Sequence, residues 1–407
     1  MKFLNQKNLI YLTIAAGPLY LIKTGFFGLP TNLLELLILL NLFAWLCDKP
    51  QLNFKKKLTL LPWQLILSLG LILTGVIVSI FSNNAIVAGL GILKGWLSLP
   101  LFFAYLLFEK MEDKTQIKKA LLAFYFSTFL VALLGLGYRL LGLVTYDNRL
   151  SAFYASPNYL AMYLAPGVLL GFYFSTKGFA DRKTLLEKLL VVFSLAILLL
   201  AFFYTYSYGA WLSVLLALIL SVFFTFPKKQ FLLALSFLLS FLVLVFFSQI
   251  HSQKFSSAIS FSERSSLSSR LIIWKVAEKL LTKNPIRGIG PGNFQTHYLD
   301  LQPFFPPYLE WAVPQPHNLF LAFWLQAGLL GLIGFLFLLL FIFQTLLKKP
   351  RVKEFSLEFF FLAFFLYTFF HGLIDTPFWK NDLAFFFWTF LALFTANLKL
   401  KQKNTPQ

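Results

Sequence analysis

PQPHNLFLAFWLQAGLLGLIGF, residues Pro314 to Phe335, sets a histidine and an asparagine directly ahead of a run apolar enough to cross a bilayer. The run continues to Leu347, about thirty residues in all, whereas a hydrocarbon core needs about 20 residues of helix. We therefore expect it to begin as a short helix at the membrane surface before the true span. His317 and Asn318 then stand at the mouth of that span.

The rest of the chain has the same character. Of 407 residues, 58% are hydrophobic and 19% aromatic, with 52 Phe, and only 13% are charged. No soluble fold hides so much apolar surface, so the expected fold class is an all-α polytopic integral membrane protein. Apolar runs lie near residues 8–22, 31–47, 58–81, 88–108, 120–143, 158–176, 188–205, 209–226, 230–250, 318–347, 355–371 and 383–398, about 12 transmembrane helices. They fill nearly the whole length, which implies a single integral membrane domain, 1–407, containing one large loop at 251–316. The start, MKFLNQKNLIYLTIAAGPLYLI, has the shape of a signal peptide but in a polytopic chain reads as an uncleaved first span. A single cysteine, Cys47, rules out an intramolecular disulfide, and its expected role is packing.

A net charge of +19 would suggest a nucleic-acid partner in a soluble protein, but the positions of the charges argue otherwise. The two termini and every second loop hold 23 Lys and Arg, while the intervening short loops hold Lys23, Arg149 and Lys380. The positive-inside rule then places both termini in the cytoplasm of a multi-pass inner-membrane protein. The 251–316 loop, and the short loops around Arg149, Ser207 and Asp375, fall on the extracytoplasmic side. The bland reading of these loops is that they are connectors, yet they are chemically richer than the inside loops, which are short lysine clusters.

Within the large loop, RLIIWKVAEKLLTKNP places Ile273, Ala277, Leu280 and Leu281 at helical spacing with Trp274 beside them, and Lys275, Glu278, Lys279 and Lys283 on other faces. This pattern predicts an amphipathic helix with Ser269 as N-cap and Asn284-Pro285 as its stop. Arg270 then lies in the first turn, where the helix dipole disfavours a cation by about 0.3 to 1 kcal/mol unless an anion joins it. Helix amides and a guanidinium together make a phosphate site; the alternative is a solvated or snorkelling arginine. The following NPIRGIGPGNF lacks the Gly-Lys-Ser/Thr ending of a nucleotide-binding loop and reads as a turn.

His317, one of four histidines, follows Pro316 at a helix start, where the positive end of the dipole favours neutral imidazole and hence a general base. The alternative is a structural histidine bonded to the loop. His251, His297 and His371 lack that setting, and no metal-ligand spacing is evident. Asp375, in GLIDTPFWKND, either orients His317 or Arg270 or caps a turn, and Asn158 after Pro157 reads first as a cap.

Five segments together resemble the O-antigen ligase and polymerase superfamily of bacterial membrane glycan-assembly enzymes: NRLSAFYASPNYLAMYLAP (Asn148–Pro166), TYSYGAWLSVLLAL (Thr205–Leu218), SRLIIWKVAEKLLTKNPIRGIGPGNF (Ser269–Phe294), PHNLFLAFWLQAGLLGL (Pro316–Leu332) and HGLIDTPFWKNDLAFFFW (His371–Trp388). The resemblance implies metal-independent, inverting glycosyl transfer from a polyprenyl-pyrophosphate-linked glycan to a lipid, glycan or protein acceptor at the outer face of the cytoplasmic membrane. It needs no cofactor and no nucleic acid. It assigns Arg270 to the donor pyrophosphate and His317 to activation of the acceptor hydroxyl, with Arg149 a further basic position for the pyrophosphate. Asp375, Asn318, Ser207, Tyr208 and Arg287 are candidate supporting residues. One position departs from the pattern: many members carry Ser-Arg-Gly where this chain reads Ser207-Tyr208-Gly209. Tyr208 supplies no cation, so the charge load falls on Arg270, Arg149 and either Arg287 or Lys380.

The slight lean is to a ligase, with a polymerase or a protein O-oligosaccharyltransferase as alternatives. A transporter or glycolipid flippase is the competing class, since twelve spans is a common transporter count. It would be expected to show two related halves and midplane charges, whereas here Lys94 and Arg139 are the basic residues well inside the runs.

Overall fold

In lipid a helix satisfies its own backbone, so long apolar runs fold as helices. The computed structural model describes residues 5–26, 29–48, 61–83, 86–181, 184–250, 255, 266–307, 310–348 and 355–403. The helices are α1 (Gln6–Ala15), α2 (Leu33–Cys47), α3 (Trp63–Phe81), α4 (Ile86–Lys110), α5 (Lys114–Leu140), α6 (Pro157–Asp181), α7 (Leu185–Tyr204), α8 (Tyr208–Thr225), α9 (Lys228–Gln249), α10 (Ser266–Lys283), α11 (Phe294–Leu301), α12 (Leu319–Leu347), α13 (Leu357–Gly372) and α14 (Asn381–Lys403). The protein is an all-α polytopic membrane protein. Among the described residues, 8 helices are long and apolar enough to cross a membrane: α3 to α8, α12 and α14. α2 and α13 are shorter apolar helices.

The N-terminal run differs from expectation. α1 has 10 residues, about 15 Å of helix, and gives way at Gly17-Pro18 to a 3-10 turn. A short hairpin follows, β1 (Lys23–Phe26) paired antiparallel with β2 (Leu29–Asn32), where a plain loop was expected. It brings Glu35 against Lys94, whose Nζ lies 2.8 Å from the carboxylate and 2.5 Å from the Pro30 carbonyl. That partner is how a lysine is accommodated inside an apolar run, and α4 widens to a π-helical turn there, Leu93–Ser98. Cys47 is exposed on α2 and does not pack in the core as expected.

α14 is the central helix: 89% of its apolar window is buried in protein, against 22% for α7, whose Leu189, Leu190, Phe193 and Leu200 face outward to lipid. The phenylalanines fill the interior, with Phe124 edge-on to Phe386 and Phe390, and Phe323 stacked on Phe335 at 4.0 Å. α12 lies against α3 so closely that any side chain at Gly75 or Gly334 would strike the partner helix.

α12 is two helices joined at Gly328, whose φ of 65° and ψ of −175° are not helical. The expected short first segment is therefore present, Leu319 to Ala327. Breaking a helix frees backbone groups, and in a membrane these need partners. The loop after α10 supplies them: Leu329 N donates to Ile286 O at 2.9 Å, and Ile289 N and Gly290 N donate to Leu325 O at 2.7 and 3.2 Å. Gly288 is required for this approach, because a Cβ there would collide with the Trp324 and Leu325 carbonyls. The glycine-rich loop is thus a backbone partner for the broken span.

α10 carries the apolar face read from its sequence, with Ile273, Ala277, Leu280 and Leu281 buried in a satellite core with Ile289, Phe294, Val313 and Leu325. Its start differs: the helix begins by Ser266, so Ser269 is inside it and not its N-cap. Arg270 consequently stands beyond the first turn. His251 and most of the serine-rich segment lie outside the described residues.

Candidate active site

The loop between α13 and α14 crosses the heads of α10 and α12, and this crossing assembles three residues far apart in sequence. Asp375 is 2% exposed at its side chain, and its two oxygens face different partners. Oδ1 lies 2.9 Å from His317 Nδ1 and accepts from Thr376 N at 2.9 Å. Oδ2 lies 3.4 Å from Arg270 Nη2. Burial pushes the Asp375 carboxyl up, but His317 and Arg270 outweigh it and hold it well below the usual carboxylate range. An ionised carboxylate only accepts, so His317 Nδ1 donates to it, and Nε2 is the nitrogen turned to other partners.

Arg270 is held on three sides. Nε donates to Ile374 O at 2.7 Å, and Nη1 to Ser266 O and Oγ at 3.1 and 2.5 Å, besides the contact with Asp375. A guanidinium fixed in this way presents a preset face. Its orientation comes from side-chain and carbonyl partners and not from free amides of a first turn.

His317 precedes Asn318, the N-cap of α12, whose Oδ1 accepts from Phe320 N and Leu321 N at 3.0 Å. Asn318 Nδ2 donates to Leu373 O at 2.9 Å, so the cap also ties α12 to the Asp375 loop. The cap occupies the first free amides of α12, and the group against the His317 ring is Asp375. Trp274 Nε1 donates to His317 O at 3.3 Å, fixing the backbone from α10. That contact was not legible in the sequence, where Trp274 is merely one of several aromatics in the outer loops.

Arg149 reaches the same region from the α5–α6 loop. Nε donates to Thr205 O at 2.8 Å and Nη2 to Asn158 Oδ1 at 2.7 Å, and Asn158 Oδ1 also accepts from Ser207 Oγ at 3.2 Å. Asn158 and Ser207 thus position Arg149. Burial pulls the Arg149 guanidinium below its ordinary value, and the neighbouring Arg270 cation adds to that while Asp147, 3.8 Å away, opposes it. Two cations are thereby held near one another, an arrangement that an anion between them would stabilise. Tyr208 turns its hydroxyl to Gln249 Oε1 at 3.0 Å. Arg287 is exposed in the loop after α10, past the end of a helix that runs about 20 Å on from Arg270, and does not join the group.

The backbone around the site is strained. Asn148, Ala152, Tyr206 and His317, the positive-φ non-glycine residues among those described, all adjoin it. Among the described residues no group of three or more His, Cys, Asp or Glu comes together as metal ligands would. An apolar groove of about 870 Å³ runs from Asn318 between α10 and α12, past Trp274, Phe320 and Trp324 to Leu332 and Leu336.

Residues 193–336, which include α10, Arg270 and His317, match the family model Wzy_C, described as O-antigen ligase. Over this segment the chain is similar to the O-antigen ligase family. No curated protein matches the chain. The matched segment supplies two of the three converging side chains, and Asp375 comes from beyond it.

Proposed function

We propose that the protein is a membrane glycosyltransferase of the ligase type, moving a glycan from a polyprenyl-pyrophosphate carrier to an acceptor hydroxyl at the extracytoplasmic face of the inner membrane. The observation that carries this reading is Asp375 bridging Arg270 and His317, with Arg149 close by. A carboxylate-oriented imidazole suits proton abstraction, and a pair of fixed guanidinium groups suits a pyrophosphate.

In this mechanism the acceptor hydroxyl gives its proton to His317 Nε2 as its oxygen attacks the anomeric carbon. The bond from that carbon to the pyrophosphate oxygen breaks, and the electron pair leaves with the pyrophosphate. Attack from the face opposite the leaving group inverts the configuration. Arg270 and Arg149 offset the negative charge that grows on the leaving group, so no metal is needed. The lipid part of a substrate lies in the groove between α10 and α12, whose deep end at Leu332 and Leu336 is on the spanning part of α12.

The test uses purified protein, an undecaprenyl-pyrophosphate oligosaccharide, several acceptors, EDTA and no ATP. Wild type is expected to release undecaprenyl pyrophosphate and form an inverted glycoside, and His317→Ala and Arg270→Ala to fold but lose transfer. A product extended on its carrier would make the enzyme a polymerase, and loss of activity in EDTA that a divalent ion restores would overturn the metal-independent mechanism.

A further inference from the structure

Beyond the bridged triad, the Asp375 loop ends in a second buried polar cluster. Lys380 Nζ stands over the rings of Tyr159, Tyr154 and Tyr20, at 4.1, 4.6 and 5.1 Å. Asp382, fully buried on the first turn of α14, has its Oδ1 3.8 Å from that nitrogen, beyond hydrogen-bond reach. Tyr20 Oη and Trp379 Nε1 have no hydrogen-bond partner among the described residues, and Lys380 Nζ, Tyr154 Oη and the two oxygens of Asp382 face one another without a well-formed hydrogen bond. Asp382, Trp379 and Tyr154 are each more than nine-tenths buried. A buried polar group left without a full hydrogen bond is destabilising, so a concentration of them points to something that completes them.

The chemistry of the set narrows what that is. A simple anion would meet Asp382 and a simple cation would meet Lys380. A ligand with hydroxyls both donates and accepts, and its apolar face can lie on a tyrosine ring. The cluster also adjoins the reaction centre: Tyr159 is within electrostatic reach of both Asp375 and Asp382, and its neighbour Asn158 holds Arg149. Its edge is at Lys380, 13% exposed at the side chain, and the half-buried Tyr159 and Asn381, with Asp382 behind.

We propose that Lys380, Asp382, Tyr20, Tyr154 and Tyr159 form a sugar subsite that binds ring hydroxyls beside the reaction centre. This rests on the glycosyl-transfer reading. The ring belongs either to the donor glycan, next to its pyrophosphate, or to the acceptor, and the two sources are separable by experiment.

Full-length protein in nanodiscs is titrated with undecaprenyl-pyrophosphate oligosaccharide and with undecaprenyl pyrophosphate lacking sugar, for wild type, Asp382→Asn and Tyr154→Phe. The second variant removes a hydroxyl and keeps the ring, so it guards against misfolding of the first. For a donor ring, each variant is expected to weaken the sugar-bearing probe about tenfold and leave the bare lipid unchanged. For an acceptor ring, both lipid probes are unchanged and the KM for the acceptor glycan rises by a similar factor. Equal weakening of both lipid probes with an unchanged acceptor KM, or no change in any of the three, overturns the proposal in favour of a purely structural ion pair. If wild type catalyses no transfer, hydrogen exchange over residues 373–384 with the free oligosaccharide decides separately: slowed exchange in wild type that Tyr154→Phe abolishes retains the subsite, and unaltered exchange removes it.

Discussion

Asp375 joins a cation to an imidazole with one buried carboxylate, and its ionisation sets how both behave. Asp375→Asn keeps an acceptor for His317 Nδ1 but loses the charge facing Arg270. We expect transfer to fall about 10²- to 10⁴-fold, measured as kcat at saturating donor, with His317→Ala falling at least as far. Removal of one partner from a buried pair costs about 3 kcal/mol, which thermal unfolding of the purified variant would read. The pH dependence follows from sign. The folded carboxyl sits below its unfolded value, so its stabilisation is fully present above about pH 5 and is lost only as pH falls through the lowered folded value. The stability gap between wild type and Asp375→Asn should therefore not narrow from about pH 8 to about pH 5, and should narrow only in stronger acid. A gap that closes between those two values would show that Asp375 is not held ionised. Arg149→Lys is the milder test: the charge stays, but an ammonium cannot serve both Thr205 O and Asn158 Oδ1 in the fork geometry, so donor KM should rise about tenfold with a smaller change in kcat.

At the scale of elements, local pattern reports what a segment does within itself and not what it meets. Apolar runs and the spacing of Ile273, Ala277, Leu280 and Leu281 marked the helices and the buried face of α10 because those signals are written within a few turns. Arg270, His317 and Asp375 were each legible as separate polar residues in outer loops. The contact of Arg270 with Asp375 spans 105 positions and that of His317 with Asp375 spans 58, so no periodicity could report either. The break in α12 was anticipated from its excess length, yet the use of IRGIG to satisfy the broken backbone was not, because glycine-rich sequence specifies a turn and not its partner. The Lys380 cluster was missed for a related reason: its tyrosines come from three separate elements. Gly328→Ala forces a Cβ against Ile286 O and Arg287 at a φ of 65°, so we expect a loss of about 1 to 3 kcal/mol in thermal unfolding. Ala at Gly70, which has open space around it, should be nearly neutral and serves as the control.

At the scale of the whole molecule, the proposed chemistry demands that Arg270, His317, Asp375 and the groove share one side of the membrane, opposite the lysine clusters. The charge asymmetry of 23 basic residues against 3 predicts the direction. Because Cys47 is the single cysteine, Cys47→Ser leaves a background on which one introduced thiol reports its own location. Glu278, exposed on α10, and Lys114, exposed at the start of α5, lie on segments assigned to opposite sides. In intact cells stripped of any outer barrier, a membrane-impermeant maleimide should label Glu278→Cys at once and Lys114→Cys only after the inner membrane is opened. The reverse pattern would invert the protein and put His317 in the cytoplasm, where attack on a glycan already exported could not occur. Labelling of both in intact cells would mean that an even number of spans separates them by a count other than the one proposed. Since α5 to α9 lie between the two sites, the helix whose span status fails would be sought there, first in α9, which is not among the eight long apolar helices identified from the described residues.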